Sequence, residues 1–397
     1  MRAKASGRRY QRCLAGLAAL TLGAVGAVAA ATMGCPYRSR GGAATPVHGR
    51  RWALAAVAAA ALAPRPPAIA APVTPAQEAA AAAGALEPTA ADTELVQRAF
   101  AALETNPAQP GAREVLEQAE DAFTRAIARF EGPLRGTAGD RVQLRLGRAQ
   151  ARININDITG GKMPEKAEAA VVDFNEVIRI MEADMSSARG TFDYPSVFVR
   201  RALAKEEIAY GRRDKTQWAG AVADYTRAIN LWRDGMRDSP GNPGLGVNPM
   251  VLNFRGNALS QLGKFADALT DYQEASEIFT RDRQLRMASL SHANEGLALF
   301  GSGRRSEGMS TMQGLSRRDP GLADPHVALA AEYWSIGDVV RAEEQWRFSC
   351  EQTEEGCTQY KDLDWVENIR RWPASLVGDL GAFLQRKAPS AAGIAGR

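Results

Sequence analysis

The stretch Ala221–Ile229 reads AVADYTRAI, and it decides the fold because a similar pattern occurs five more times along the chain. Each copy has a small residue, a bulky residue four positions later, and a small or aliphatic residue three positions after that. Residues spaced by four and then three lie on one face of an α-helix. The bulky positions of the six copies are Phe123, Phe174, Tyr225, Tyr272, Met312 and Trp346.

A second helix is predicted upstream of these copies, because a small residue there is followed seven positions later by a turn glycine. The pairs are Gly256 with Gly263, Gly296 with Gly303, and Ala330 with Gly337. Small residues let two helices approach to about 8–10 Å, and the bulky residue fills the space between them. No stretch alternates with a period of two, so the sequence predicts an all-α solenoid of stacked helical hairpins.

The combination of small residue, turn glycine, alanine, aromatic residue, alanine and a final Pro320 resembles the tetratricopeptide repeat (TPR). The bulky positions are separated by 51, 51, 47, 40 and 34 residues, so only the last interval has the standard repeat length. We expect the extra residues to lie between helices, at 155–165, 212–218 and 240–249, and to lengthen the hairpins.

The stretch Gly356–Pro373 resembles the tail of a family of TPR-like proteins of the thylakoid lumen in plants and algae. The resemblance extends from about residue 110 to residue 386. Physically the tail is expected to form a cap, with Trp365, Ile369 and Trp372 on one face. Pro373 would then begin a capping helix whose apolar stripe is Leu376, Leu380, Phe383 and Leu384.

The N-terminal region has the composition of targeting sequences. Residues 1–49 are rich in Arg, Gly and Ala and contain no Asp or Glu, which is typical of an organellar transit peptide. Residues 50–70 begin with Arg50-Arg51, continue with a short apolar run, and end with the small-x-small site Ala68-Ile69-Ala70. This order resembles the bipartite signals of thylakoid-lumen proteins, with a twin-arginine second step. A flexible leader, 71–91, and a repeat domain, 92–388, would follow.

A second interpretation of the N-terminus stays open. Arg8, Arg9 and Arg12 precede the apolar run Leu14–Ala31, which alone could be a secretory signal or a membrane span. It would place the protein in a bacterial envelope or periplasm, or retain an anchor, but it leaves residues 50–70 unexplained. A lipoprotein site at Cys35 is disfavoured by Thr32. We expect cleavage near Ala71 and no stable membrane insertion after processing.

Charge argues against nucleic acid as a partner. Residues 1–71 hold ten of the 49 Lys and Arg residues, so the remainder of the chain carries 39 basic and 45 acidic residues. A mildly acidic mature protein lacks the basic footprint that nucleic-acid binding requires.

Two cysteines, Cys350 and Cys357, remain in the repeat domain. Either a disulfide or two free thiols is compatible with their spacing. Their spacing is not that of a Cys-x-x-Cys redox motif.

The sequence offers no set of residues for catalysis. His292 and His326 lack a second ligand at metal-binding spacing, and Gly241–Gly246 lacks the Lys-Ser/Thr end of a phosphate loop. We therefore expect no cofactor, no metal and no enzymatic activity. Three carboxylates precede the bulky residue in consecutive units, and we expect them to pair with neighbouring helices rather than to form a functional acidic ladder: Asp173, Asp224 and Asp271.

Function is then expected in the groove lined by the first helix of each unit. The residues predicted to face it change from basic to amide to apolar along the array: Arg148, Arg201, Lys205, Asn253, Asn257, Asn294, Phe300 and Trp334. Ordinary solvated helix faces are the alternative interpretation.

Some TPR modules clamp the terminal carboxylate of a peptide with two asparagines and several cations. Asn257 and Asn294 match the amide positions, but the basic positions hold Asn253, Asp324 and Ala328. Without cations the clamp loses its charge-assisted bonds, so a chaperone-tail clamp is not expected.

The repeat pattern, the targeting signals and the lack of a catalytic residue set together predict a non-catalytic protein–protein interaction scaffold in the thylakoid lumen. A role in the assembly or maintenance of photosynthetic complexes is expected from that location alone. A periplasmic or envelope TPR scaffold of a bacterium and an unrecognised lumenal enzyme subunit are the alternatives.

Overall fold

The computed structural model describes Leu86 and residues 88–183, 194–235, 246–353 and 356–386. The predicted transit peptide, the signal with Arg50, Arg51, Ala68 and Ala70, and most of the leader lie outside these residues. Among the helices within them, none is both long enough and apolar enough to cross a bilayer.

These residues form α-helices joined by turns, and they contain no β-strand. In chain order the helices are α1 (Ala90–Ala102), α2 (Ala112–Glu131), α3 (Ala138–Ile158), α4 (Pro164–Ala183), α5 (Tyr194–Arg212), α6 (Thr216–Arg233), α7 (Pro249–Gln261), α8 (Phe265–Arg281), α9 (Leu285–Gly301), α10 (Arg305–Arg318), α11 (Ala323–Ser335), α12 (Val339–Glu351) and α13 (Ala374–Leu384).

Each odd-numbered helix from α1 to α11 packs against the even-numbered helix that follows it, and each hairpin packs on the next. The predicted all-α solenoid of stacked helical hairpins is confirmed. The bulky residues of the repeated pattern fill the hairpins as expected: Phe123, Phe174, Tyr225, Tyr272 and Met312 are buried, and Trp346 is half-buried.

Small residues on the first helices admit these bulky side chains. A Cβ atom added at Gly256 would lie 2.6 Å from the Tyr272 ring, and one added at Gly296 would lie 2.8 Å from the methyl carbon of Met312. Real Cβ atoms do not approach neighbours this closely, so each glycine is required by the packing of its own hairpin.

The extra residues of the longer units lie mainly within helices, which corrects the expected position of two insertions. α3 and α4 are 21 and 20 residues long, against 13 and 17 for α7 and α8. The segment 155–158 contains no Gly or Pro, so α3 continues until Gly160 and Gly161, both at φ 75°. Similarly, α5 runs to Arg212 and α6 begins at Thr216. The third segment, 240–249, falls largely outside the described residues.

The C-terminal segment first crosses the hairpins and then caps them. After α12, a 3₁₀ turn (Thr358–Lys361) and a single π turn (Trp365–Ile369) lead to α13. Pro373 occupies the N-cap of α13, and the Phe383 ring of this helix lies 5.5 Å from the ring centres of Trp334 and Trp346. Leu376, Leu380 and Phe383 are buried, as the predicted apolar stripe requires, while Leu384 is half-buried.

Candidate functional site

One ion pair is repeated in three consecutive hairpins. An arginine of the first helix donates from Nε and Nη2 to the two carboxylate oxygens of an aspartate on the second helix. The distances are 3.0 and 2.6 Å for Arg148 with Asp173, 2.9 and 2.5 Å for Arg201 with Asp224, and 2.8 and 2.6 Å for Arg255 with Asp271. Such bidentate pairs fix the rotation of one helix against the other.

The same arginines join each hairpin to the one before it. Nη1 of each arginine donates to the residue that follows the bulky residue of the preceding hairpin: Thr124 at 3.3 Å, Asn175 at 2.8 Å and Thr226 at 3.2 Å. A second cation, Arg152 or Lys205, reaches Asp173 or Asp224 at 2.7 Å. The three aspartates therefore pair with neighbouring helices, as expected.

Arg148, Arg201 and Lys205 do not form the basic end of an open groove. Their side chains are only 16–19% exposed, and each is bound to a buried aspartate. The expected groove role of these three residues is corrected, because their charges are already balanced within the hairpin.

The amide residues are also engaged. Asn253 is buried and donates to Ser291 Oγ at 2.8 Å, and Asn257 accepts a bond of 2.8 Å from the Tyr272 hydroxyl. Asn294 accepts from Arg370 Nη1 at 3.0 Å. Of the three, Asn294 is the one that contacts the C-terminal segment by a hydrogen bond.

The apolar residues Phe300 and Trp334 are core residues. They are 2% and 6% exposed and belong to one cluster with Met312, Phe383 and their neighbours. Phe300 and Trp334 therefore do not line an open groove as predicted, because residues of neighbouring helices, including α13, cover their side chains.

The face lined by α5, α7, α9 and α11 carries the chain's own residues 356–373, called here the tail. We call this surface the first-helix face. Gln261 Nε2 at the end of α7 donates to the Glu367 carbonyl at 3.5 Å, and Arg213 just after α5 lies 3.2 Å from Asp364. The remaining space between the tail and α7 to α9 has room for about one water molecule.

Two adjacent arginines hold the tail to this face, and Arg370 is the first. Its Nε lies 2.9 and 2.8 Å from the two carboxylate oxygens of Asp324, and its Nη2 lies 2.6 Å from one of them. Asp324 stands in the first turn of α11 and is 4% exposed. Tyr360 of the tail donates to the same carboxylate at 2.7 Å.

Arg371 is the second, and it binds a different helix. Nη2 donates to Glu206 Oε2 on α5 at 2.6 Å, and the guanidinium lies 5.0 Å from the ring centre of Trp218. Tyr225 holds the other oxygen of Glu206 at 2.9 Å. Burial lowers the pKa of the Arg371 guanidinium, but the charge and hydrogen bond of Glu206, together with the neighbouring Tyr225 and Tyr272, raise that pKa above its usual value.

A disulfide fixes the start of the tail. Cys350 of α12 and Cys357 are bonded, with Cα atoms 4.5 Å apart, which resolves the alternatives left open by the sequence. The tail is thus held at its N-terminal end by the disulfide bond and at its C-terminal end by α13.

The histidines have structural surroundings. His326 is buried, stacks on Phe348 with ring centres 4.3 Å apart, and shares a hydrogen bond of 2.8 Å with Gln345. Burial lowers its pKa below the usual value. His292 lies 3.1 Å from Glu295. No cluster of three or more His, Cys, Asp or Glu side chains among the described residues is placed to hold a metal ion.

Sequence reasoning did not find Glu206, Trp218 or the role of Arg370-Arg371. The doublet itself was visible in the tail, and Asp324 was noted only as a misfit to the carboxylate clamp. Asp324 is a misfit to that clamp because it carries a negative charge and binds the guanidinium of Arg370 instead of a carboxylate. No model of a known protein family matches the chain, and a search of curated proteins found no match.

Proposed function

We propose that this protein is a non-catalytic scaffold that binds segments of other proteins on its first-helix face. One observation carries the proposal: that face holds a segment of the chain itself, the tail, in which a 3₁₀ turn and a π turn are joined by irregular residues, through side-chain contacts from four successive hairpins. Helical-repeat arrays commonly use such a face for extended ligands. The resemblance to TPR proteins supports the same assignment.

The proposed location is the thylakoid lumen, with a role in the assembly or maintenance of photosynthetic complexes. The support comes from the order of residues 1–49 and 50–70, which suits two successive membranes. Import of the full chain into isolated chloroplasts tests it. We expect a protease-protected soluble product that begins near Ala71, and an accumulated product that still contains Arg50 would refute this location.

Site-specific photo-cross-linking tests the binding role. A benzoylphenylalanine at Gln261, half-buried beside the tail on α7, should cross-link a partner protein in lumen extract. The matched control is the same substitution at Val172, which is 65% exposed on α4, a second helix. Equal cross-linking at both positions, or none at Gln261, would contradict the proposed face.

A further inference from the structure

We infer that the first-helix face is a recognition site for two consecutive arginines, that the tail is its resident ligand, and that the external partner presents an Arg-Arg segment. The inference rests on the proposed scaffold function and names the chemistry of its partner.

Glu206 and Asp324 stand outside the repeated ion pairs. Asp173, Asp224 and Asp271 bind arginines of their own hairpins, whereas Glu206 and Asp324 receive theirs from the tail. Both carboxylates are at most 4% exposed. Repeat packing therefore does not account for them, and a buried carboxylate requires a charged partner.

The surroundings of Glu206 and Asp324 select arginine. Asp324 meets Arg370 through two nitrogen atoms, a fork that a lysine ammonium does not offer. Asn294 accepts a further N–H of the same guanidinium. At Glu206 the Trp218 ring lies against the second guanidinium, a contact that also favours arginine.

The Glu206 half of the site is built without the tail. Tyr225 is fully buried in α6 and fixes one oxygen of Glu206, which leaves the other oxygen directed at the guanidinium. Such an oriented carboxylate is prepared for an arginine from any chain.

Arg371, the resident arginine at Glu206, fits this site imperfectly. Arg371 Nε is buried without a hydrogen-bond acceptor among the described residues. The Arg371 backbone has φ 64°, a left-handed conformation that costs energy for a residue with a side chain. An external arginine free of both penalties would compete with the tail.

The two ends of the tail would stay in place while an external ligand binds. The Cys350–Cys357 bond and α13 hold these ends, so displacement moves the turn around Arg370 and Arg371, which lies between the buried Val366 and Trp372. A ligand tethered in this way competes at high effective concentration and weakens the apparent affinity for an outside peptide.

Peptide binding to the mature chain tests the inference. The probe is a fluorescent ten-residue peptide of Gly, Ser and Ala with a central Arg-Arg, and the control peptide has Lys-Lys. Fluorescence anisotropy is measured for the parent, for the double variant R370S/R371S, and for that variant with Glu206→Gln. Arg213→Gln is the matched control. The Arg213 side chain also forms an ion pair with the tail, but it is 81% exposed.

We expect R370S/R371S to bind the Arg-Arg peptide at least about tenfold more tightly than the parent does and more tightly than it binds Lys-Lys. Adding Glu206→Gln should abolish that preference, and Arg213→Gln should match the parent. A folded double variant that does not bind the Arg-Arg peptide, or that binds the Lys-Lys peptide equally well, would overturn the inference.

Hydrogen exchange on the unmodified parent decides the question if the double variant does not fold. The amides of Arg370 and Trp372 donate to Trp365 and Val366 carbonyls at 2.9 and 3.0 Å. Millimolar Arg-Arg peptide should accelerate exchange at both amides, and unchanged exchange would overturn the inference. If the Arg-Arg peptide gives neither result, the scaffold proposal is still tested separately by cross-linking at Gln261, because that experiment uses native partners instead of this peptide.

Discussion

Arg201 and Asp224 face each other across the two helices of one hairpin and form two hydrogen bonds of 2.9 and 2.5 Å. The same arginine reaches Asn175 of the preceding hairpin. One side chain therefore sets the geometry both within a hairpin and between hairpins.

Replacing Asp224 with Asn should destabilise the protein by about 3–5 kcal/mol, because Arg201 and Lys205 would lose a buried counter-charge. Urea unfolding followed by circular dichroism measures the loss. The control is Asp121→Asn, which removes an ion pair with Arg125. Both of these side chains are more than 60% exposed, so the substitution should change stability little. Similar losses in the two variants would show that the repeated pair is not structural.

Gly256→Ala should cost about 1–3 kcal/mol, since the new methyl group overlaps the Tyr272 ring. Gly314→Ala is the matched control in α10, where an added Cβ meets nothing within 4 Å. That change should stabilise by about 0.4–1 kcal/mol by restricting the unfolded chain. Thermal melting of both variants provides the test, and shifts of the same sign would contradict the predicted packing.

Trp334→Ala should lower stability by about 3–5 kcal/mol, because its buried ring packs edge-on against Phe383 of the capping helix. Val340→Ala on α12, where the side chain is 69% exposed, is the comparison and should be nearly neutral. The measurement is the urea midpoint. A parental midpoint for Trp334→Ala would mean that α13 does not cap the array.

His326 should make stability depend on pH. Its folded pKa lies below the unfolded value of about 6.5, so between these values the unfolded chain binds a proton that the folded chain does not. The contribution of neutral His326 to the free energy of unfolding is therefore fully present above pH about 6.5 and is lost as the pH falls from the unfolded pKa towards the folded pKa. Melting from pH 8 to 5 should fall less steeply for His326→Gln than for the parent, and parallel curves would exclude this role.

The hairpins were predictable because their signal is local. Phe174 and Tyr225 recur with small residues at fixed offsets, and this periodicity requires one buried face on each helix. Helix ends were less predictable, as α3 shows, because an expected insertion can continue a helix as readily as it can form a loop.

The groove residues were predicted less well for two physical reasons. Periodicity places Arg201 on a helix face but does not reveal that Asp224 neutralises it from the next helix. Contact between Glu206 and Arg371 spans 165 residues, and no local pattern encodes a pairing over that distance.

The separation of 165 residues between Glu206 and Arg371 also affects how the protein folds during synthesis. Neighbouring hairpins bring together residues close in sequence, so the array can form progressively while the ribosome is still adding residues. Arg371 is synthesised 165 residues after Glu206, so their contact forms only after the hairpins between them have been made. Until synthesis reaches the tail, Glu206 lacks its resident arginine, and the nascent protein passes through a stage in which this carboxylate is open to other chains.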